Sequence, residues 1–397
     1  MSAPPGSRRR ALLACTLTAV VLAVVPPMAA SADWRLFHGG PARLGVSTEH
    51  HLSADNVRRL RVVWSRAAGS SPEGVNASAA VAGPRVFVGS DDGRLYAFGL
   101  GGRPLWAKWV GGAVRSSPAV ADGVVFVGSN DGRVQARSAS SGALLWTRNL
   151  GGVVSSSPLV AEGRVYIGSR GGTFYALAAA TGRVVWKRSL WSVWDAAAYR
   201  GGTVYVGSDR QRVWALDADT GAKRWTAPVW GRMRSTPAVT DDRVFVGTDN
   251  GRVYALNRRS GHKVWAAAAV APGDGFVRCA PAVAAGLVVV SVGLTTTPMD
   301  GTLRAFHVRT GSPAWTGAMA DYATSSPAYE NGLFFVGSFD HRLYAFGARH
   351  GAEVWTSGWA YEGGFFDRGI SASPAISGGR IYIGVRDGRL YALGLPS

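Results

Sequence analysis

Cysteine, lysine and acidic residues are scarce in this chain of 397 residues, and each scarcity excludes something. Cysteine occurs only at Cys15 and Cys279, which excludes a disulfide scaffold and any cysteine-rich zinc module. Asp and Glu number 25 against 43 Lys and Arg, giving a formal charge of +18. Lysine supplies only Lys108, Lys187, Lys223 and Lys263, so the basicity is almost wholly arginine. An excess of this size ordinarily points to an anionic partner: nucleic acid, anionic lipid or a wall polymer. No apolar run reaches 18 residues, so no membrane-spanning helix is expected. G-x-S-x-G, H-E-x-x-H, phosphate-loop and G-x-G-x-x-G motifs are all missing. In contrast, Gly numbers 53 and Trp 15, and 47% of residues are apolar, the composition of a packed protein.

The start of the chain reads as an address. Arg8, Arg9 and Arg10 precede an apolar run from Ala11 to Val25, then come Pro26-Pro27 and Ala30-Ser31-Ala32. These are the parts of a secretory signal peptide cleaved after Ala32. The arginines weakly resemble a twin-arginine export signal, and Cys15 falls too early for lipid attachment. Residues 1–32 are therefore expected to be the leader, 33–60 an N-terminal extension and 61–397 the folded domain. A secreted or envelope location follows, and the exported chain keeps Cys279 alone, so core burial and backbone pairing must hold the fold.

One pattern recurs eight times: Ser-Ser-Pro, an alternating apolar run ending Val-Gly-Ser, a turn, Tyr-Ala-Leu, Thr-Gly and Trp. The closing tryptophans are Trp64, Trp106, Trp146, Trp186, Trp225, Trp265, Trp315 and Trp355, spaced 42, 40, 40, 39, 40, 50 and 40 residues apart. Runs such as Arg85-Val86-Phe87-Val88 and Leu95-Tyr96-Ala97-Phe98 carry strand chemistry, and Asp91-Asp92-Gly93 between them is a hairpin turn. Four strands per unit with a period near 40 specify an all-β fold, an eight-bladed β-propeller of four-stranded antiparallel blades. Trp64 precedes the first Val-Gly-Ser, and the last unit ends at Tyr391-Ala392-Leu393 without a Trp. The strand around Val62-Val63-Trp64 is therefore expected to complete the last blade and close the ring, which removes open edges.

Ala215-Leu216-Asp217-Ala218-Asp219-Thr220-Gly221-Ala222-Lys223-Arg224-Trp225 resembles the tryptophan-docking motif of quinoprotein alcohol dehydrogenases. Weaker copies run through nearly all of residues 33–397. The same PQQ-like propeller repeats include the outer-membrane barrel-assembly lipoprotein BamB. The resemblance implies that each of the eight repeat tryptophans stacks over a neighbouring blade and locks the ring. It is a likeness of fold and names no activity.

Quinoprotein dehydrogenases carry adjacent cysteines over the quinone and an acidic calcium site. This chain has no Cys-Cys pair, no acidic triad that matches, and no insertion large enough for a deep cofactor chamber. No catalytic residue, metal ligand set or cofactor is expected, and pyrroloquinoline quinone (PQQ) is the one cofactor the resemblance would admit. His50-His51 would need a third ligand to hold a metal, and a surface or N-terminal packing role is expected. Cys279 replaces a repeat serine and is expected to be buried and inert.

Counting three residues back from each repeat Pro picks out a variable position: Asn76, Arg115, Ser155, Trp194, Arg234, Arg278, Thr324 and Ser371. Valines precede many of these, so the variable set is expected to face the channel mouth while the valines pack. Three arginines there would attract carboxylate, phosphate or sulfate, with Trp194 as a stacking surface and Asp195 beside it. Trp109, Trp191, Trp194, Trp230 and Trp359 lie in inter-blade connections, together with longer insertions at 271–275, 295–299 and 359–368. The last of these carries Tyr361, Phe365 and Phe366.

The expected function is an exported, non-enzymatic propeller scaffold, a monomer, that binds a protein, peptide or anionic envelope polymer. A PQQ-dependent alcohol or sugar dehydrogenase using the central funnel is the alternative, and a sugar-binding propeller a third. Removing residues 1–32 takes three arginines and no acid, lowering the charge from +18 to +15. Six of the remaining arginines (Arg94, Arg133, Arg212, Arg252, Arg342, Arg389) follow the same hairpin turn. The charge thus reads as repeat-encoded rather than as a nucleic-acid footprint.

Overall fold

Each repeat folds as four antiparallel strands because its apolar residues alternate between tight turns. In the second repeat, Ala119–Ala121, Val124–Gly128, Arg133–Ser138 and Leu144–Asn149 pair in that order. We call such strands A to D from the channel outwards. The computed structural model describes residues 1–2, 33–69, 74–295, 301–358 and 369–396. Residues 3–32, most of the expected leader, lie outside these, as do residues 70–73, 296–300 and the aromatic insertion 359–368. Within 33–396 there are eight such blades, making an eight-bladed propeller. The described residues contain no helix long and apolar enough to cross a membrane.

The ring closes as the repeat phase requires. Blade eight takes its A, B and C strands from Ala375–Ser377, Arg380–Val385 and Arg389–Gly394, and its D strand from Arg61–Ala67 at the other end of the chain. Trp64 pairs with Ala392 across that junction. Blade six is longer: Leu287–Leu294 also pairs with the extra strand Gly275–Phe276.

The B strands are apolar on both sides because they lie between neighbouring blades. Phe87 and Leu95 of blade one pack in one cluster with Val125 and Val127 of blade two, all fully buried. Each such side chain contributes about 1.5–3 kcal/mol. The repeat tryptophans bridge the outer edge. Seven of them donate their indole N–H to a carbonyl of the next blade, from Trp64 to Leu100 at 2.8 Å through Trp315 to Ala348 at 2.8 Å. Trp355 is partly buried against a core cluster shared by blades seven, eight and one.

The extension of 33–60 is a strap. Carbonyls of Trp34, Arg35, Pro41, Ala42, Leu44 and Gly45 accept from Val81, Val120, Tyr199, Val239, Val283 and Tyr329 at 2.7–2.9 Å. Those donors sit in the A strands of blades one, two, four, five, six and seven. Arg43 reaches blade three through Nη2 to the Pro158 carbonyl at 2.9 Å. Glu49 reaches blade eight by accepting the Gly378 and Gly379 amides at 2.9 and 3.1 Å. Arg43 is completely buried and also donates Nε to Ala197 at 3.1 Å and Nη1 to Phe37. Gly45 is required at its position: its φ is +66°, and a Cβ would lie 2.3 Å from His38 Nε2. The strap crosses the end of the channel where the A–B hairpins lie, so that mouth is covered.

Candidate functional site

The opposite mouth, where each D strand returns to the next A strand, is lined by repeat positions. The valines before the variable residues turn inward as expected. Val114, Val154 and Val277 are fully buried, their methyls against the repeat glycines Gly89, Gly128 and Gly247. One step on, the serines Ser116, Ser156, Ser235 and Ser325 are buried, their hydroxyls accepting the amides of Gly128, Gly168, Gly247 and Gly337. Cys279 holds that place in blade six. It is a buried free thiol accepting Ser291 N–H at 3.2 Å, and burial pushes it up to about 11. This is the chemistry of an inert thiol, not of a nucleophile.

The next residues form an inter-blade belt. Amides of Ser78, Ser117, Ala280, Ser326 and Ser373 each donate to the hydroxyl of the corresponding residue one blade on, at 2.8–3.0 Å. Ala196 does the same to Thr236 at 3.1 Å. Above this belt lies a cavity of about 140 Å³, with Phe37 of the strap among its lining.

Asn76, Arg115, Ser155, Asp195, Arg278, Thr324 and Ser371 all line that cavity, so the alignment brings most of the expected set together. Trp194 and Arg234 do not line it. Trp194 is not an open stacking surface either. Guanidinium carbons of Arg170 and Arg234, from the blades on either side, lie 3.6 and 4.2 Å from its ring centroid, and its indole N–H donates to Asp209 Oδ2 at 2.7 Å.

The three expected arginines face aspartates. Arg115 meets Asp91 at 3.2 Å, while Arg278 and Arg234 share Asp249 at 2.8 and 3.6 Å. Their partners come from a second variable position, two residues after the repeat glycine, that holds Asp91, Arg170, Asp209, Asp249 and Arg386. Composition does not single these out, but the fixed offset from Gly89, Gly168, Gly207, Gly247 and Gly384 does. Each stands fifteen residues after a first-ring residue of its own blade, as with Asn76 donating to Asp91 at 2.7 Å and Arg170 to Ser155 at 3.2 Å. The mouth is thus an interlocked ring of both signs. Burial pushes Asp91 up to about 6. Asp195, in the place of a repeat serine, is pushed up to about 7 by burial and by Asp249, against the pull of Arg234 and Arg170.

Three exposed tryptophans stand at or just after the ends of D strands on the same face: Trp109 at 61%, Trp191 at 52% and Trp230 at 56%. Arg210 stacks on Trp191 at 3.3 Å, and Arg252 lies 5.5 Å from the Trp230 ring. Rings exposed this far on a rigid frame are the residue type that dominates binding surfaces.

No curated protein matches the sequence. Among solved structures, BamB from Moraxella catarrhalis superposes with a TM-score of 0.70 at 19% identity, covering 84% of this chain and 97% of that one. The quinohemoprotein alcohol dehydrogenase ADHIIG from Pseudomonas putida HK5 gives 0.76 at 17%, covering 92% and 80%. The computationally designed Ika8 protein gives 0.68 at 16%, covering 82% and 98%. At such identities the likeness shows the fold and nothing further. A family model described as outer membrane protein assembly factor BamB matches residues 51–192, 188–326 and 299–395. With nearly the whole repeat region matched, the chain belongs to this BamB family of PQQ-like repeat propellers.

Proposed function

We propose that this protein is an exported, non-enzymatic propeller scaffold whose open channel face binds a protein or peptide. The observation that carries this reading is that Trp109, Trp191 and Trp230 stand exposed on the same face as a channel mouth lined by paired arginine and aspartate. The strap covers the other mouth, which leaves one face for a partner. Carboxylates of an acidic segment would compete with Asp91 and Asp249 for Arg115 and Arg278, while the tryptophans supply apolar area. Export rests on the arginine-led apolar leader and its Ala30-Ser31-Ala32 site, and it agrees with the family description.

The dehydrogenase alternative fits poorly. Ligand pockets usually enclose about 300–1,000 Å³, against about 140 Å³ here with Phe37 pointing in. Trp194 is engaged by two guanidinium groups rather than open to a planar ring.

The test is retention of envelope proteins on the immobilised protein, compared with a Trp109→Ala/Trp191→Ala/Trp230→Ala variant and with Arg115→Ala/Arg278→Ala. Saturable retention lost in both variants, with unchanged melting temperature, is expected. Equal retention by all three proteins would refute the reading.

A further inference from the structure

Where the strap leaves the channel end it meets blades seven and eight, and three metal-binding side chains meet there. Glu330, last residue of the blade-seven A strand, is completely buried. Its Oε1 accepts the amides of His51 at 2.8 Å and Leu52 at 3.2 Å. Its Oε2 is buried with no hydrogen-bond partner. Among the described residues no Lys or Arg forms an ion pair with this carboxylate. Glu49, 8% exposed, is oriented by the Gly378 and Gly379 amides, and its Oε2 lies 3.3 Å from His51 Nδ1. One donor atom from each of Glu49, His51 and Glu330 lies within 4.8 Å of the others.

Two buried carboxylates held together by backbone amides repel each other unless a positive charge sits between them. The amides already fix both carboxylates, as outer-shell hydrogen bonds do at metal sites. The imidazole, 60% exposed, gives the site an entry path and leaves room for water on the solvent side. Two oxygens, one nitrogen and a water suit a tetrahedral borderline ion. Ligands about 2.0–2.2 Å from zinc stand about 3.4 Å apart. Glu49 and His51 already meet that spacing, and a small closure brings in Glu330.

We infer that Glu49, His51 and Glu330 form a divalent-metal site, best suited to Zn²⁺, that clips the strap onto blades seven and eight. His51 finds its partners not in His50 but in residues brought up by the fold. The ion would act structurally. It would tie residues 49–52 to blades seven and eight.

The test is calorimetric titration of Zn²⁺ into the purified, chelator-treated protein, with melting temperature as a second readout. One Zn²⁺ per chain and a higher melting temperature are expected. His51→Ala, a surface change that should not disturb folding, is expected to weaken binding at least tenfold. Glu330→Gln keeps an oxygen for the His51 and Leu52 amides and is expected to do the same. Binding of no ion, or binding unchanged in both variants, would overturn the inference. So would a Glu330→Gln protein that melts higher than the wild type while zinc stabilises neither, since that marks a shared proton as the sole occupant.

Discussion

Trp225 lies across Gly261 of the next blade so closely that a Cβ on that glycine would sit 2.6 Å from the indole Cε3. The same indole donates to the Arg258 carbonyl at 2.9 Å. Gly261 has φ +73°, so the turn that receives the ring is open to glycine for two independent reasons. The same glycine–tryptophan contact recurs between Gly221 and Trp186 and between Gly311 and Trp265.

From this contact, Trp225→Ala is expected to cost about 3–5 kcal/mol, the loss typical of a buried aromatic. Gly261→Ala is expected to be comparably damaging although it adds one methyl. Urea unfolding measures both, and a Gly261→Ala protein as stable as wild type would contradict the stacking account.

Arg43 holds the strap through three carbonyls and has no carboxylate partner among its hydrogen bonds. Arg43→Met leaves buried acceptors unpaired at about 1–3 kcal/mol each. The expected result is faster hydrogen exchange at the amides of Val120, Tyr199 and Val239, with the D strands unaffected. Unchanged exchange at those amides would show that the strap is held by other means.

Burial and the neighbouring Asp249 raise Asp195 in the folded state to about 7, well above the ordinary carboxylate range. The native protein therefore binds a proton more tightly than the unfolded chain. Stability from this group is full below about pH 4 and is lost as pH rises towards and through 7. Asp91, raised to about 6, acts in the same direction. Asp195→Ser, which restores the repeat residue, is expected to raise the melting temperature at pH 8 and leave it unchanged at pH 4. Equal effects at both values would mean that the carboxylate is not desolvated.

Addition of PQQ with Ca²⁺ is expected to give no new absorbance band, no thermal stabilisation and no dye-linked alcohol oxidation. Turnover would contradict the non-enzymatic account.

The blade count, the closing strand and the first ring were legible because a 40-residue period repeats the same physical demand at each step. Val114 had to pack against Gly89, so Arg115 had to face the channel. The aspartates opposite the arginines were legible too, but only by the offset from the repeat glycine, since Asp91 and Asp249 each also belong to a hairpin turn that explains them locally. The strap was not legible. Residues 33–52 form scarcely any regular secondary structure, and their order comes largely from carbonyls accepting amides of six other segments. Trp194 could be placed on the rim from spacing, yet its two arginine neighbours come from different blades. Glu330 reads as an ordinary strand-end glutamate until the fold sets it beside Glu49.

The most direct test of the central claim is photo-crosslinking in the producing cells, with p-benzoylphenylalanine substituted in separate proteins for Trp191 on the open face and for Asp122 on the strap-side hairpins. The account predicts a discrete crosslinked protein adduct from position 191 and none from position 122. An adduct from position 122 alone, or none from either, would contradict it.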